Sequence, residues 1–133
     1  MHTFPKIEHL YGDKNIENLY ANGKSFLVYP LRIVYLAVEN EEIPVRVMVS
    51  VSKKKFKRAV NRNKIKRLMR ETYRLNKNEL ITFSVEQQLK IHIAFQYIAT
   101  EIETFQTLNV KMQTALGKII QKLSIDETSE TNN

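Results

Sequence analysis

The chain contains no cysteine, which removes disulfides, thiolate nucleophiles and cysteine-based zinc sites from consideration. Glycine is nearly as scarce, with three in 133 residues, and none belongs to a phosphate-cradling loop. No run approaches 18 consecutive apolar residues, and the opening MHTFPKIEHLYGDKN has no apolar core of the kind an export signal needs. These absences lead us to expect a cytoplasmic, soluble protein with no membrane attachment and no obligatory protein partner. Histidine occurs three times, as His2, His9 and His92, with no two at metal-ligand spacing. Glu39, Glu41 and Glu42 crowd one expected turn, where solvation is the ordinary explanation. His92 reads as a strand-surface residue. No nucleophile sits beside a visible base, so no catalytic residue and no metal ligand is expected among the side chains.

The most informative scarcity is local. Between Lys53 and Arg74 there is one acid, Glu71, against eleven of the chain's 21 Lys and Arg. The segment carries +10, and since the whole chain carries +7 the remainder carries −3. A concentrated cationic device on a near-neutral body is suited to a polyanion. Placed on a helix from Arg58 to about Asn76, Arg62, Asn63, Lys66, Arg67, Arg70 and Arg74 share one sector of roughly 140°. Ile65, Leu68, Met69, Thr72 and Leu75 share another, opposite sector. One face therefore packs on a core, and the other forms a cationic ridge about 25–30 Å long. A merely solvated face would interleave acids for i,i+4 pairing, and this one has almost none.

Elsewhere the patterning supports one α/β (α+β) sandwich in the order α-β-β-β-α-β-α around a small four-stranded sheet. Gly12-Asp13 opens a short helix with apolar Ile16, Leu19 and Tyr20, which Gly23 is expected to end as a left-handed cap. Lys24–Tyr29, Leu31–Val38 and the alternating Val45–Ser52 read as strands, the last two as an antiparallel pair. Leu89–Ala99 alternates again, and Leu108–Leu123 has helical spacing. The domain is expected over 1–123, with a disordered acidic tail over 124–133.

The stretch RVMVSVSKKKFKRAVNRNKIKRLMRETYR resembles the signature region of the bacterial ribonuclease P protein subunit. Ser50, Ser52, Lys53 and Lys54 match its strand end, and Arg62, Asn63, Lys66, Arg67 and Arg70 match its helix. Lys64 stands where the family usually has a second Arg, keeping the charge but not the planar fork. Ile16 stands where relatives often carry Phe. The resemblance implies a left-handed β-α-β crossover around the basic helix, an exception to the usual hand. It further implies a ribonucleoprotein that removes the 5′ leader of precursor tRNA. In it a catalytic RNA hydrolyses the bond with bound divalent metal (Mg), while the protein contacts that RNA through the basic helix and receives the leader in a cleft.

On physical grounds Lys53, Lys54, Arg58, Arg62, Asn63, Lys66, Arg67, Arg70 and Arg74 are the expected RNA contacts. A cleft for unpaired bases needs flat groups to stack on. Tyr20, which the resemblance aligns with a family aromatic on the first helix, is the leading candidate, followed by Tyr35 and Phe26, then Tyr29, with Tyr73 expected near the basic face as a buttress for Arg70. Two other readings compete: a structural RNA-binding module such as a ribosomal protein, which needs no aromatic cleft, and a DNA-binding protein. The helix carries too few base-reading side chains for the latter.

Overall fold

The computed structural model describes residues 4–131, with side chains through Ile125. A short 3-10 turn (Lys6–Glu8) leads to α1 (Asp13–Asn22), β1 (Lys24–Val28), β2 (Leu31–Val38), β3 (Val45–Val51), α2 (Ala59–Asn76), α3 (Asn78–Glu86), β4 (Lys90–Tyr97) and α4 (Phe105–Thr131). The last helix thus runs through most of segment 124–133; residues 132–133 lie outside the described ones.

The strands form one sheet in the order β1-β2-β4-β3. β2 and β3 are not partners, contrary to the reading of their two alternating runs as an antiparallel pair. β4 lies between them, antiparallel to β2 and parallel to β3. The reason is visible in β4 itself. Ile91, Ile93 and Phe95 are fully buried on one face, and His92 and Ala94 are buried on the other. A strand covered on both sides belongs in the middle of a sheet. The chain between β3 and β4 is a crossover through α2 and α3, which a parallel pair requires.

Two apolar layers follow from the period of two. On one face Leu31, Ile33, Tyr35, Val45, Val47, Ile91, Ile93 and Phe95 meet Ile65, Met69 and Tyr73 of α2 and Leu108, Met112, Leu116 and Ile119 of α4. On the other face Val34 and Ala94 meet Leu19 and Leu10, with Ile16, Leu36 and Met48 around them. α1 covers only part of this second face. α3 escaped the sequence reading because its NELITFSVE is rich in β-branched residues, a poor helical signature. It is held by burial of Leu80 and Ser84, whose hydroxyl bonds the carbonyl of Pro44 at 3.1 Å.

α1 ends at Gly23, but not as a left-handed cap: its φ is −74° and its backbone is extended. Glycine is needed here for space. A Cβ would lie 2.4 Å from the carbonyl oxygen of Leu19 and 3.0 Å from that of Tyr35. The left-handed glycine is Gly12, at the other end of the helix, with φ +94°.

Candidate nucleic-acid interface

β3 ends at Val51 and the chain turns through Lys53, Lys54 and Lys55, all exposed. The Ser52 hydroxyl shapes that turn by accepting the N–H of Lys54 at 3.2 Å. Phe56 anchors its far side, packing near the ring of Tyr97 (centroids 6.0 Å apart). α2 then starts at Ala59; Arg58 before it provides no side-chain cap, and the first turn has no acid. A helix N-terminus already carries about half a positive charge, and here five cations, Lys53, Lys54, Lys55, Lys57 and Arg58, precede it. The local electrostatics are unfavourable for folding and favourable for an anion.

The amphipathic reading of α2 holds except at Leu75, expected on the apolar face but exposed near the end of the helix. Ile65, Met69 and Thr72 are buried, while Asn63, Lys64, Arg67 and Arg70 are exposed. Among the described residues, Lys53, Lys54, Lys66, Arg67 and Arg70 form no ion pair. Two arginines are used differently. Arg62 turns back and donates to the carbonyls of Phe56 (2.7 Å) and Lys57 (2.9 Å), tying the lysine turn to the helix. Arg74 pairs with Glu71, Nε to Oε2 at 3.0 Å. That pair raises the Arg74 pKa, the hydrogen bond contributing most, and lowers that of Glu71 for the same reason. Tyr73 is not a buttress on the basic face. It is fully buried between Phe4 and Phe95.

The part of the second sheet face left open by α1 carries half-buried Arg32, Ser50 and Gln96, and it is here that the family resemblance implies a cleft. Tyr20 stands at its wall, 39% exposed. Gln96 of β4 donates to the Tyr20 hydroxyl at 3.1 Å and accepts from Arg32 of β2 at 2.8 Å. Ser50 pairs with Gln96 in register, so this floor leads along β3 directly to Lys53. Neither Arg32 nor Gln96 stood out in the sequence. The signal was the alternation that places both opposite the apolar residues of their strands. Tyr35 and Phe26 do not join this cleft. They lie on the helix side of the sheet, rings 5.8 Å apart, with Tyr35 buried and Lys122 over the Phe26 ring. Tyr29 is exposed in the turn after β1.

On the same face, beyond Leu10 and Leu19 where they cover Val34 and Ala94, is a separate groove of about 600 Å³ bordered by Asn15, Asn18 and Asn22 of α1. Its wall holds a cluster that the sequence reading assigned to solvent. Glu41 is nearly buried and accepts from Arg46 Nε (2.6 Å), the Ile43 N–H (3.1 Å) and His92 Nε2 (2.7 Å). Burial pushes its carboxyl up, but bonds from His92, Ile43 and Arg46 outweigh burial and hold its pKa at about 2. His92 is accordingly a buried residue, not a strand-surface one. Arg46 also donates to the carbonyl of Ile7 at 2.7 Å and lies over the Tyr11 ring. Among the described residues no group of three or more His, Asp and Glu side chains comes together to hold a metal ion, and no helix is long and apolar enough to cross a membrane.

Residues 4–120 match the family model described as Ribonuclease P. The chain is 44% identical over 115 residues to the ribonuclease P protein component of Porphyromonas gingivalis, covering 86% of this chain and 84% of that one. The Chlorobaculum tepidum protein of the same name is 43% identical over 82 residues, 59% of this chain and 53% of its own. Among solved structures, the Thermotoga maritima RNase P protein superposes with a TM-score of 0.65 at 22% identity, covering 84% of this chain and 96% of that one. A Staphylococcus aureus RNase P protein gives 0.59 at 22% identity, covering 88% and 94%. These two likenesses establish the shared fold.

Proposed function

The chain belongs to the ribonuclease P protein family, and on that footing we propose that it binds the RNA of that ribonucleoprotein and the single-stranded 5′ leader of precursor tRNA together. Hydrolysis belongs to the RNA partner with its bound divalent metal; the protein positions both RNAs. The observation that carries this reading is the continuity of two surfaces. The unpaired cations of α2 and the lysine turn suit a folded RNA's phosphates, Arg67 and Arg70 as forks, Lys53, Lys54 and Lys66 as less directional charges. The cleft of Tyr20, Arg32, Gln96 and Ser50 runs into that same turn and offers what an unpaired strand requires: a flat ring, an amide and hydroxyls, and a guanidinium. The Gln96 hydrogen bond fixes the Tyr20 ring before any base arrives, so less ordering remains for binding.

Reconstitution tests it. Purified protein, the ribonuclease P RNA of the same organism and a 5′-extended tRNA are mixed at low magnesium, and leader release is followed. Release that requires both RNA and protein is the expected result. Tight, salt-sensitive RNA binding without release would instead favour a structural RNA-binding module. Tyr20→Ala should weaken precursor binding by about tenfold, the loss of one stacked base, and leave mature tRNA binding unchanged; equal effects on both would remove the cleft from the mechanism.

A further inference from the structure

On the helix side of β3, away from the Tyr20 cleft, the N-terminal segment crosses the free edge of the strand as a strap. It is tied at several points. His9 forms a parallel bridge with Val47, and the Leu10 N–H donates to the Val47 carbonyl at 2.9 Å. Arg46 holds the Ile7 carbonyl from below. Glu8 makes an ion pair with Lys77, whose Nζ lies 2.8 and 3.0 Å from the two carboxylate oxygens and is almost entirely buried. Such a pair resists separation because either partner alone would be a buried, uncompensated charge. The strap is therefore a fixed wall.

Between this wall and α2 runs a groove of about 370 Å³. One side is flat and largely apolar, made by His9 and Phe4, whose rings lie 4.2 Å apart at a 37° tilt. The other side is Arg67, Arg70 and Arg74, with Glu71 engaged by Arg74. Arg70 also borders an adjoining hollow that reaches Val47 to Val49 of β3. Guanidinium groups opposite a flat ring, in a space fit for one base and not a duplex, match a single nucleotide: phosphate on the forks, base on the ring.

We propose that this groove takes one unpaired nucleotide of the folded RNA partner, its base stacked on His9 and its phosphate held by Arg67 and Arg70. The inference rests on the reading of α2 as the RNA-binding helix and adds the strap as its second wall. The folded RNA is the occupant, and not the leader, because the groove opens beside α2 and the leader cleft lies across the sheet. Phe4 acts as a positioning residue, backing the imidazole, and the Glu8–Lys77 pair holds the strap at its distance from the arginines.

Binding of ribonuclease P RNA by full-length variants across a salt series tests this. His9→Ala should lose about tenfold in affinity with the slope of log affinity against log salt unchanged, because stacking releases no counterions. His9→Phe, which keeps a flat ring, should bind within twofold of the parent. Arg67→Ala should weaken binding and flatten the slope by about 1. Hydrogen exchange of the Leu10 amide reports whether the strap remains in place. Parent-like binding by His9→Ala overturns the proposal, as does equal loss in His9→Phe or a loss accompanied by rapid Leu10 exchange. If Arg67→Ala also binds as the parent does, the underlying assignment of α2 falls with it.

Discussion

At the scale of single residues, several polar groups are placed where their neighbours decide what they do. The Tyr73 hydroxyl is buried and has no hydrogen-bond partner among the described residues. Its pKa is raised, burial contributing most and the charge of Glu8 adding to it. A buried hydroxyl left unbonded costs about 1–3 kcal/mol. Tyr73→Phe should therefore leave thermal stability unchanged or raise it by up to about 1 kcal/mol, measured by denaturant unfolding; a loss above that size would show the hydroxyl to be bonded. Glu41 is the opposite case. Its carboxyl titrates at about 2 in the fold against an ordinary 4.5, so the unfolded chain binds that proton more readily. The stability it contributes is complete above about pH 5 and drains away as pH falls toward 2, on the order of 2–3 kcal/mol. Glu41→Gln should start less stable at neutral pH and lose less between about pH 5 and 2, which unfolding curves at a series of pH values would resolve.

At the scale of elements, the arginines of α2 divide into those that hold the protein and those free to hold something else. Arg62→Ala should lower stability by about 1–2 kcal/mol, since two carbonyls of the lysine turn lose their charged donor. Arg67→Ala should change stability by less than about 0.5 kcal/mol. Unfolding midpoints of the two variants, measured side by side, check the distinction; equal losses would contradict it. Most of the face of α2 was legible from periodicity alone, as were β3 and β4, because these depend on spacing within a segment; β2 was legible from its β-branched composition. Strand pairing was not. That β4 enters between β2 and β3 depends on His92 and Ala94 being buried on a face whose alternation suggested solvent. Glu41 and His92, 51 residues apart, are neighbours only through the pairing of β2 with β4 and the turn after β2. Tyr35 and Phe26 have the right chemistry for stacking, but which side of a sheet a residue faces is settled by what packs there. Tyr20 was singled out only through the family resemblance, since spacing alone grouped it with Ile16 and Leu19; of these three Leu19 is buried and Tyr20 exposed.

At the scale of the molecule, charge and shape are segregated. The cations line one edge of the sandwich, from the lysine turn along α2 to the strap, and the near-neutral remainder holds the core. If six to eight phosphates are neutralised, log affinity for RNA should fall against log salt with a slope of roughly −5 to −7. Filter binding from low to moderate salt would read it directly, and a slope shallower than about −2 would mean that the ridge is not the contact surface.

The position of β4 also sets an order on the ribosome. The strand that joins the two halves of the sheet is residues 90–97, and everything it joins is made earlier. Until it emerges, β1 and β2 have only each other to pair with, β3 has no strand beside it, and α2 lacks both the Phe95 and the α4 surfaces it packs on. The cationic ridge therefore acquires its shape only after β4 and the first turns of α4 have been made. A nascent chain arrested before residue 90 should present its lysines and arginines as flexible charge, not as a site.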